Sequence, residues 1–300
     1  MIIKVSKNNK GPKLLKKAKK IIPGGGQLLS KRSELYLPDY WPSYFHKAKG
    51  AAIWDLNNNK YYDFAGMGVL SCVLGYADNY VNNKVIESIK LSSMGTLNCH
   101  EEVTFAELLL GLHPWADMAR FAKTGGEACS IAIRIARAAS GKDKILFCGY
   151  HGWQDWYLAA NINNKKNLSE QLLPGLDTSG VPKSLKKSAI PFSYNDIDDF
   201  KKKVLKHKKD IGVIIMEPER TVPPDINFLK YVRKIADEIN AVFIFDEITS
   251  GFHDNIGGKH MIHKVFPDIA IFSKSIGNGF PIAAVIGKKN IMEHAQNTFI

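Results

Sequence analysis

Four short, unbroken apolar runs recur from residue 145 onwards: Ile145-Leu146-Phe147-Cys148, Gly212-Val213-Ile214-Ile215-Met216, Ala241-Val242-Phe243-Ile244-Phe245 and Ile269-Ala270-Ile271-Phe272. Their residues are continuously apolar rather than alternating, as in strands buried on both faces. Two helical stripes lie among them. Ala128, Ile131, Ala132, Ile135, Ala136 and Ala139 keep one, and Phe228, Leu229, Val232, Ile235, Ala236 and Ile239 keep the other. Strands alternating with helices predict an α/β domain with a mostly parallel sheet sandwiched by helices and joined by right-handed crossovers. The N-terminal pattern is different. Leu14, Leu15, Ala18, Ile21 and Ile22 mark an amphipathic helix ending at Pro23-Gly24, and Ala51–Asp55 with Tyr61–Phe64 read as a hairpin around Asn57-Asn58-Asn59. Residues 160–190 are polar, weakly periodic and broken by Pro174, Gly175 and Pro182. A segment of that length suits a lid or substrate loop.

Composition places the chain among ordinary globular proteins, with 300 residues, 45% hydrophobic and 23% charged. Lys and Arg number 41 against 29 acids, a formal net charge of +12. The first twenty residues hold eight lysines and no acid, and Lys201–Lys209 form a second basic stretch. We read both as solvated faces, with anionic ligands, a cofactor phosphate included, as the second use for the charge. A noncatalytic basic binding protein is the competing class, but the aromatic residues are not interleaved with the lysines as a stacking platform needs. Cys72, Cys99, Cys129 and Cys148 never fall at a C-x-x-C spacing, which predicts reduced, buried thiols and a cytoplasmic protein. No apolar run has membrane-spanning length, and no h-region follows the N-terminal charges. His253, His260 and His263 lack a neighbouring acidic cluster, so surface histidines are expected there rather than a metal site.

The residues just after each run carry the chemistry. Gly149-Tyr150-His151-Gly152-Trp153 succeeds the first, Glu217-Pro218 the second, Asp246-Glu247 the third and Ser273-Lys274 the fourth. In an open parallel sheet the ligand crevice lies outside the carboxyl ends of the strands, so these residues point to one crevice. Gly125-Gly126-Glu127-Ala128 opens the alanine-rich helix, and such a glycine-rich helix start suits a phosphate. Dinucleotide and P-loop fingerprints are absent: Gly66-x-Gly68 lacks the third glycine. A lysine such as Lys274, between a buried strand and the turn Gly277-Asn278-Gly279, can serve as nucleophile or general base. Asp246, after five apolar residues, needs a partner, and a protonated pyridine nitrogen would satisfy it.

Asp246-Glu247-Ile248, followed by Ser273-Lys274-Ser275-Ile276-Gly277-Asn278-Gly279-Phe280-Pro281 with Lys274 28 residues after Asp246, resembles the signature of class III aminotransferases, which are fold-type I pyridoxal-phosphate enzymes. Thr124-Gly125-Gly126-Glu127-Ala128 is similar to their phosphate turn, and Gly149-Tyr150-His151-Gly152 to their ring-stacking segment. Pro23-Gly24-Gly25-Gly26, Lys49-Gly50-Ala51 and Trp54-Asp55 resemble the entry of the glutamate-1-semialdehyde aminomutase branch. The resemblance implies pyridoxal 5'-phosphate held by Lys274 as a Schiff base, with Asp246 on its ring nitrogen, Tyr150 stacked on the ring and Ile248 packed behind it. It gives the phosphate to the N–H groups of Gly125 and Gly126, and it places Glu217 and His151 at the site by motif without assigning them a role. It further implies a fold-type I architecture: residues 1–65 an N-terminal helix and hairpin belonging to a small domain, residues 66–300 the large cofactor-binding domain, and a C-terminal domain lying beyond Ile300. The same resemblance implies a homodimer with active sites at the subunit interface. Amino transfer from an amino donor to a carbonyl acceptor is the implied reaction, with neither nucleic acid nor membrane as partner; intramolecular transfer of the aminomutase type is the alternative. The chain departs from the pattern at Gly126, where relatives often carry serine or threonine, and after Gln27, where Arg32 is the candidate for a substrate carboxylate.

Overall fold

The computed structural model describes residues 5–92, 94–172 and 175–300. Pro174 of the 160–190 segment lies outside them. The chain divides into two compact units, Met1–Ser93 and Met94–Ile300.

In the first unit the predicted amphipathic helix spans Lys10–Ile21. The expected hairpin joins β2 (Ala52–Asp55) to β3 (Lys60–Tyr62), and β1 (Phe45–Lys49) adds a third antiparallel strand. Asp55 organises its turn. Its Oδ1 accepts the N–H groups of Asn57 and Asn59 at 2.8 and 2.9 Å, and its Oδ2 accepts Asn59 Nδ2 and Tyr61 OH at 2.9 and 3.0 Å. Burial alone would raise the pKa of this 4%-exposed carboxyl, yet these donors hold it below the usual carboxylate value. The Tyr61 phenol, buried against the same carboxylate, is pushed up to about 12. Asn58 takes the left-handed φ of +64° that asparagine tolerates in turns.

The second unit is built on a seven-stranded sheet in the order β4-β10-β9-β8-β7-β5-β6. The four apolar runs are β5 (Lys144–Cys148), β7 (Ile211–Met216), β8 (Val242–Asp246) and β9 (Ile269–Phe272), mutually parallel as expected. The pattern did not announce three further strands: β4 (Met118–Ala122), β6 (Ala189–Pro191) and β10 (Ala283–Gly287). Of these, β10 runs antiparallel to both β4 and β9. The unbroken runs resolve into two faces. Ile145, Phe147, Val213, Ile215, Ile244 and Ile271 pack under the Gly125–Ser140 helix through Ala128, Ala132, Ile135 and Ala136. Leu146, Ile214, Met216, Phe243 and Phe245 face the Ile197–His207 and Ile226–Glu238 helices through Phe200, Val204, Phe228, Leu229 and Val232. Each such large side chain contributes about 1.5–3 kcal/mol when fully buried, so both faces must be covered for the sheet to persist.

The structure corrects two expectations. Cys99 is exposed and its thiol donates to Glu101 at 2.6 Å, whereas Cys72, Cys129 and Cys148 are buried. Of His253, His260 and His263, only His253 is a surface residue; His260 is fully buried and His263 half-buried. No metal-binding cluster occurs among the described residues. The reason His260 is internal is Glu247, whose Oε1 accepts both His260 N and Nδ1, at 2.9 and 2.8 Å, and so draws the Lys259–His263 helix onto the sheet. The 160–190 segment is likewise tied down where it is described: Asn161 bonds Leu176 O and Leu168 N, and Gln171 bonds Gly149 N and Phe192 O.

Asp268 fastens the strands below the crevice. Its carboxylate accepts Phe243 N and Arg233 Nη1 at 2.9 Å each, and Lys288 Nζ at 2.7 Å. Burial raises its pKa, but Arg233, Lys288 and the Phe243 N–H outweigh burial and leave it lowered. Its folded pKa is therefore below the unfolded one, so its stabilisation is complete above an unfolded value of ~3.9 and disappears as pH falls through the folded value. Asp268→Asn should lower stability at pH 7 by about 1.5–3 kcal/mol and flatten the acid limb below about pH 4. Urea midpoints at each pH measure both, and an unaltered acid limb would remove Asp268 from this role.

Candidate active site

The parallel strands end level with one another. Cys148 is paired with Met216 and Asp246 with Ile271, and Glu217 N and Glu247 N carry the ladder one residue further, to Cys148 O and Ile271 O. Tyr150, His151, Glu217, Asp246 and Lys274 thus emerge along one edge of one sheet, as the sequence predicted.

Asp246 is the last residue of β8 and is 2% exposed. Its Oδ1 accepts Ile248 N–H at 3.0 Å. Its Oδ2 accepts His151 Nδ1 at 2.8 Å and the Cys129 thiol at 3.5 Å. The bond to a carboxylate places the His151 proton on Nδ1, and Nε2 has no partner among the described residues. The His151 ring is itself 1% exposed and stacks on Trp156 at 6.2 Å between centroids. Cys129 carries its proton, because burial and the Asp246 charge push the thiol well above its usual pKa.

Glu217 lies beside this group. Burial raises its pKa and the Asp246 charge adds to the effect, against His151, then Arg220, whose Nε is 3.2 Å away, and the Tyr150 N–H at 3.2 Å. A Cβ at position 149 would collide with the Glu217 carboxylate, and Gly149 has φ +119°, so glycine is required there on both grounds. Tyr150 remains 38% exposed, and burial raises its phenol.

At the start of the Gly125–Ser140 helix, Thr124 Oγ1 accepts Glu127 N at 3.2 Å while Glu127 Oε2 accepts Lys123 N at 3.0 Å, a reciprocal cap. The N–H groups of Gly125 and Gly126 have no partner among the described residues. A Cβ on Gly125 would lie 2.8 Å from Ile248 Cδ1, and one on Gly126 would collide with the Gln154 amide. The end of the Gln154 side chain, which can move, lies where a serine or threonine side chain would start.

Lys274 has φ +49° and opens the turn Lys274–Gly277. Its ammonium donates to Thr249 Oγ1 at 2.8 Å. Burial lowers its pKa, with Asp246 and then Glu217 pulling in the opposite direction. Ser275 Oγ, bonded to Gly251 O at 2.6 Å, and Ser273 Oγ, bonded to Ile282 O at 2.8 Å, fix the backbone on either side. Sequence reasoning missed Thr249, Gln154, Arg220 and Cys129. Thr249 could have been found, since it adjoins the Asp246-Glu247-Ile248 motif; the other three have no signal of their own. Arg32, the candidate for a substrate carboxylate, belongs to the first unit, where its guanidinium lies beside Gly24.

The arrangement is chemically specific. A buried carboxylate with one oxygen only partly satisfied, an amine made less basic by burial, and a side-chain-free helix start with free N–H groups suit a phosphorylated carbonyl compound with a cationic ring. Competitive labelling of the lysines with trace acetic anhydride across pH should give Lys274 a midpoint below the ordinary value of ~10.4. A midpoint at or above that value contradicts the burial effect.

Comparison with known proteins agrees. The profile described as "Aminotransferase class-III" matches residues 38–299. A 3-aminobutyryl-CoA aminotransferase of Cloacimonas acidaminovorans is 33% identical over 93% of this chain and 65% of its own length. A glutamate-1-semialdehyde 2,1-aminomutase of Wigglesworthia glossinidia brevipalpis is 36% identical over 97% of this chain and 67% of its own. The FumI protein of Sphingopyxis sp. MTA144, solved in its PLP internal aldimine form, superposes with a TM-score of 0.84 at 26% identity, covering 97% of this chain and 67% of that one. The chain spans about two thirds of the length of the curated relatives it matches. Its fold is that of the fold-type I transaminases, pyridoxal phosphate is the cofactor of the family, and the chain belongs to the class-III aminotransferases.

Proposed function

We propose that the protein is a pyridoxal-phosphate-dependent aminotransferase that moves an amino group from an amino donor to a carbonyl acceptor, with Lys274 and Asp246 as its catalytic residues. The observation that carries this reading is the juxtaposition, at neighbouring strand ends, of the buried Asp246 carboxylate and the partly buried Lys274 amine, which burial makes less basic. Pyridoxal phosphate, when bound, supplies a carbonyl carbon for amine exchange and a cationic ring that withdraws electrons from the reacting carbon.

Each remaining task falls to this chain. Asp246 would accept a hydrogen bond from the protonated ring nitrogen and keep that proton in place. The Gly125 and Gly126 N–H groups and the positive end of their helix receive the phosphate. Tyr150 would cover one ring face, and Ile248, already against Gly125, would pack on the cofactor. Lys274 Nζ would hold the cofactor covalently and, when freed by the donor amine, would serve as the general acid–base that moves the donor's proton, a role that its lowered pKa favours. Thr249 Oγ1, 2.8 Å from Nζ, orients the amine between these duties. His151 and Glu217 act from behind, holding Asp246 and the Tyr150 backbone respectively.

Intramolecular transfer is the second reading, favoured by the aminomutase relative. The same residues would serve it, with donor and acceptor carbons in one molecule. We also place a homodimer in the proposal. The Asn79–Leu91 helix buries none of its residues and leaves Ile86 49%, Ile89 60% and Leu91 87% exposed, an apolar face that a second subunit would cover. A cytoplasmic setting is supported by four free cysteines. No helix among the described residues is long and apolar enough to cross a membrane.

Incubation with pyridoxal phosphate should give a visible absorption band, and borohydride should then fix one cofactor per chain on the peptide containing Lys274. Lys274→Ala should abolish the labelling; label retained by that variant contradicts the assignment. A donor labelled with ¹⁵N should pass its nitrogen to an added 2-oxo acid, whereas recovery of the label only at another carbon of the donor would select the aminomutase reading.

A further inference from the structure

A carboxylate offers about four acceptor positions, two on each oxygen. On Asp246, Oδ2 receives two donors, His151 Nδ1 at 2.8 Å and Cys129 Sγ at 3.5 Å, whereas Oδ1 receives one, Ile248 N at 3.0 Å. One position is therefore left, and it is on Oδ1. We propose that Cys129 is a positioning residue: with His151 it saturates Oδ2, so that the carboxylate presents Oδ1, and only Oδ1, to the ring nitrogen of the cofactor.

The placement of Cys129 supports this role. It lies on the second turn of the Gly125–Ser140 helix, four residues after Gly125, and is fully buried. The helix whose start is proposed to hold the phosphate thus also contacts the carboxylate proposed to hold the ring. Its thiol stays protonated, as burial and the neighbouring carboxylate dictate, so it is a donor at neutral pH and never a competing charge. No disulfide partner competes for it among the described residues. Without the thiol, Oδ2 would hold one donor, as Oδ1 does, and the two oxygens would no longer differ in what they offer the cofactor.

The inference rests on the proposed cofactor site, so wild-type binding is measured first. The test uses the full chain with pyridoxal phosphate and compares Cys129→Ala and Cys129→Val, which lack a donor at smaller and larger volume, with Cys129→Ser, which keeps one. Two quantities are read: the cofactor dissociation constant from tyrosine and tryptophan quenching, and the thermal midpoint of the unloaded protein. A neutral thiol donor is a weak one, so the Ala and Val variants should bind the cofactor about three- to tenfold less tightly. The Ser variant should stay within about twofold of wild type, whatever the unloaded midpoints do. Wild-type affinity in Ala or Val overturns the proposal. Equal losses in all three variants also overturn it, since they would mark a packing effect. Should either non-donor variant fail to fold, the other and the Ser variant decide. Failure of the wild type to bind would instead overturn the cofactor reading, and the proposal with it.

Discussion

A negative charge buried at the end of β8 is the constraint around which the second unit is arranged. A carboxylate as enclosed as Asp246 is costly unless its oxygens are satisfied and a positive charge is at hand. The chain supplies donors from three places: the Ile248 backbone, the His151 ring and the Cys129 thiol. No lysine or arginine is among them, and Glu217 beside it adds repulsion. The Lys274 ammonium, which the Asp246 charge favours, donates its hydrogen bond to Thr249 Oγ1 instead. The group is thus held ready for a cationic partner, and the proposed cofactor ring is such a partner.

The glycines and backbone turns near the site arise from the same crowding. Gly149 gives way to Glu217, and Gly126 to Gln154. The positive φ at Lys274 turns the chain sharply out of the sheet, with Ser273 and Ser275 bonded to fixed carbonyls on either side. Rigidity of this kind keeps reactive groups in register while the cofactor's attachment changes hands.

Much of this was legible in the sequence because it depends on runs and local motifs. Continuous apolar stretches identified the parallel strands, helical stripes identified the covering helices, and the polar residues just past each strand identified one edge of the sheet. Lys274 and Asp246 stood out as candidates because each directly follows a buried strand, and a glycine-rich turn comes just after Lys274. What stayed hidden depends on register between distant segments. Cys129 meets Asp246 across 117 residues, and nothing in Glu127-Ala128-Cys129-Ser130 distinguishes that cysteine from a core thiol. The reversed strand β10 is hidden for a related reason: Ala283-Ala284-Val285-Ile286-Gly287 is short and reads the same in either direction. His260 looked like a surface residue because its partner, Glu247, lies 13 residues earlier on a different element.

The central claim is that Asp246 keeps a positive charge on the ring of the bound cofactor. The direct measurement is the ¹⁵N chemical shift of pyridoxal phosphate labelled at its ring nitrogen and bound to the protein at neutral pH. The account predicts the shift of a protonated pyridine in the wild type and of an unprotonated one in Asp246→Asn. An unprotonated ring in the wild type, or a protonated one that persists in Asp246→Asn, would contradict it.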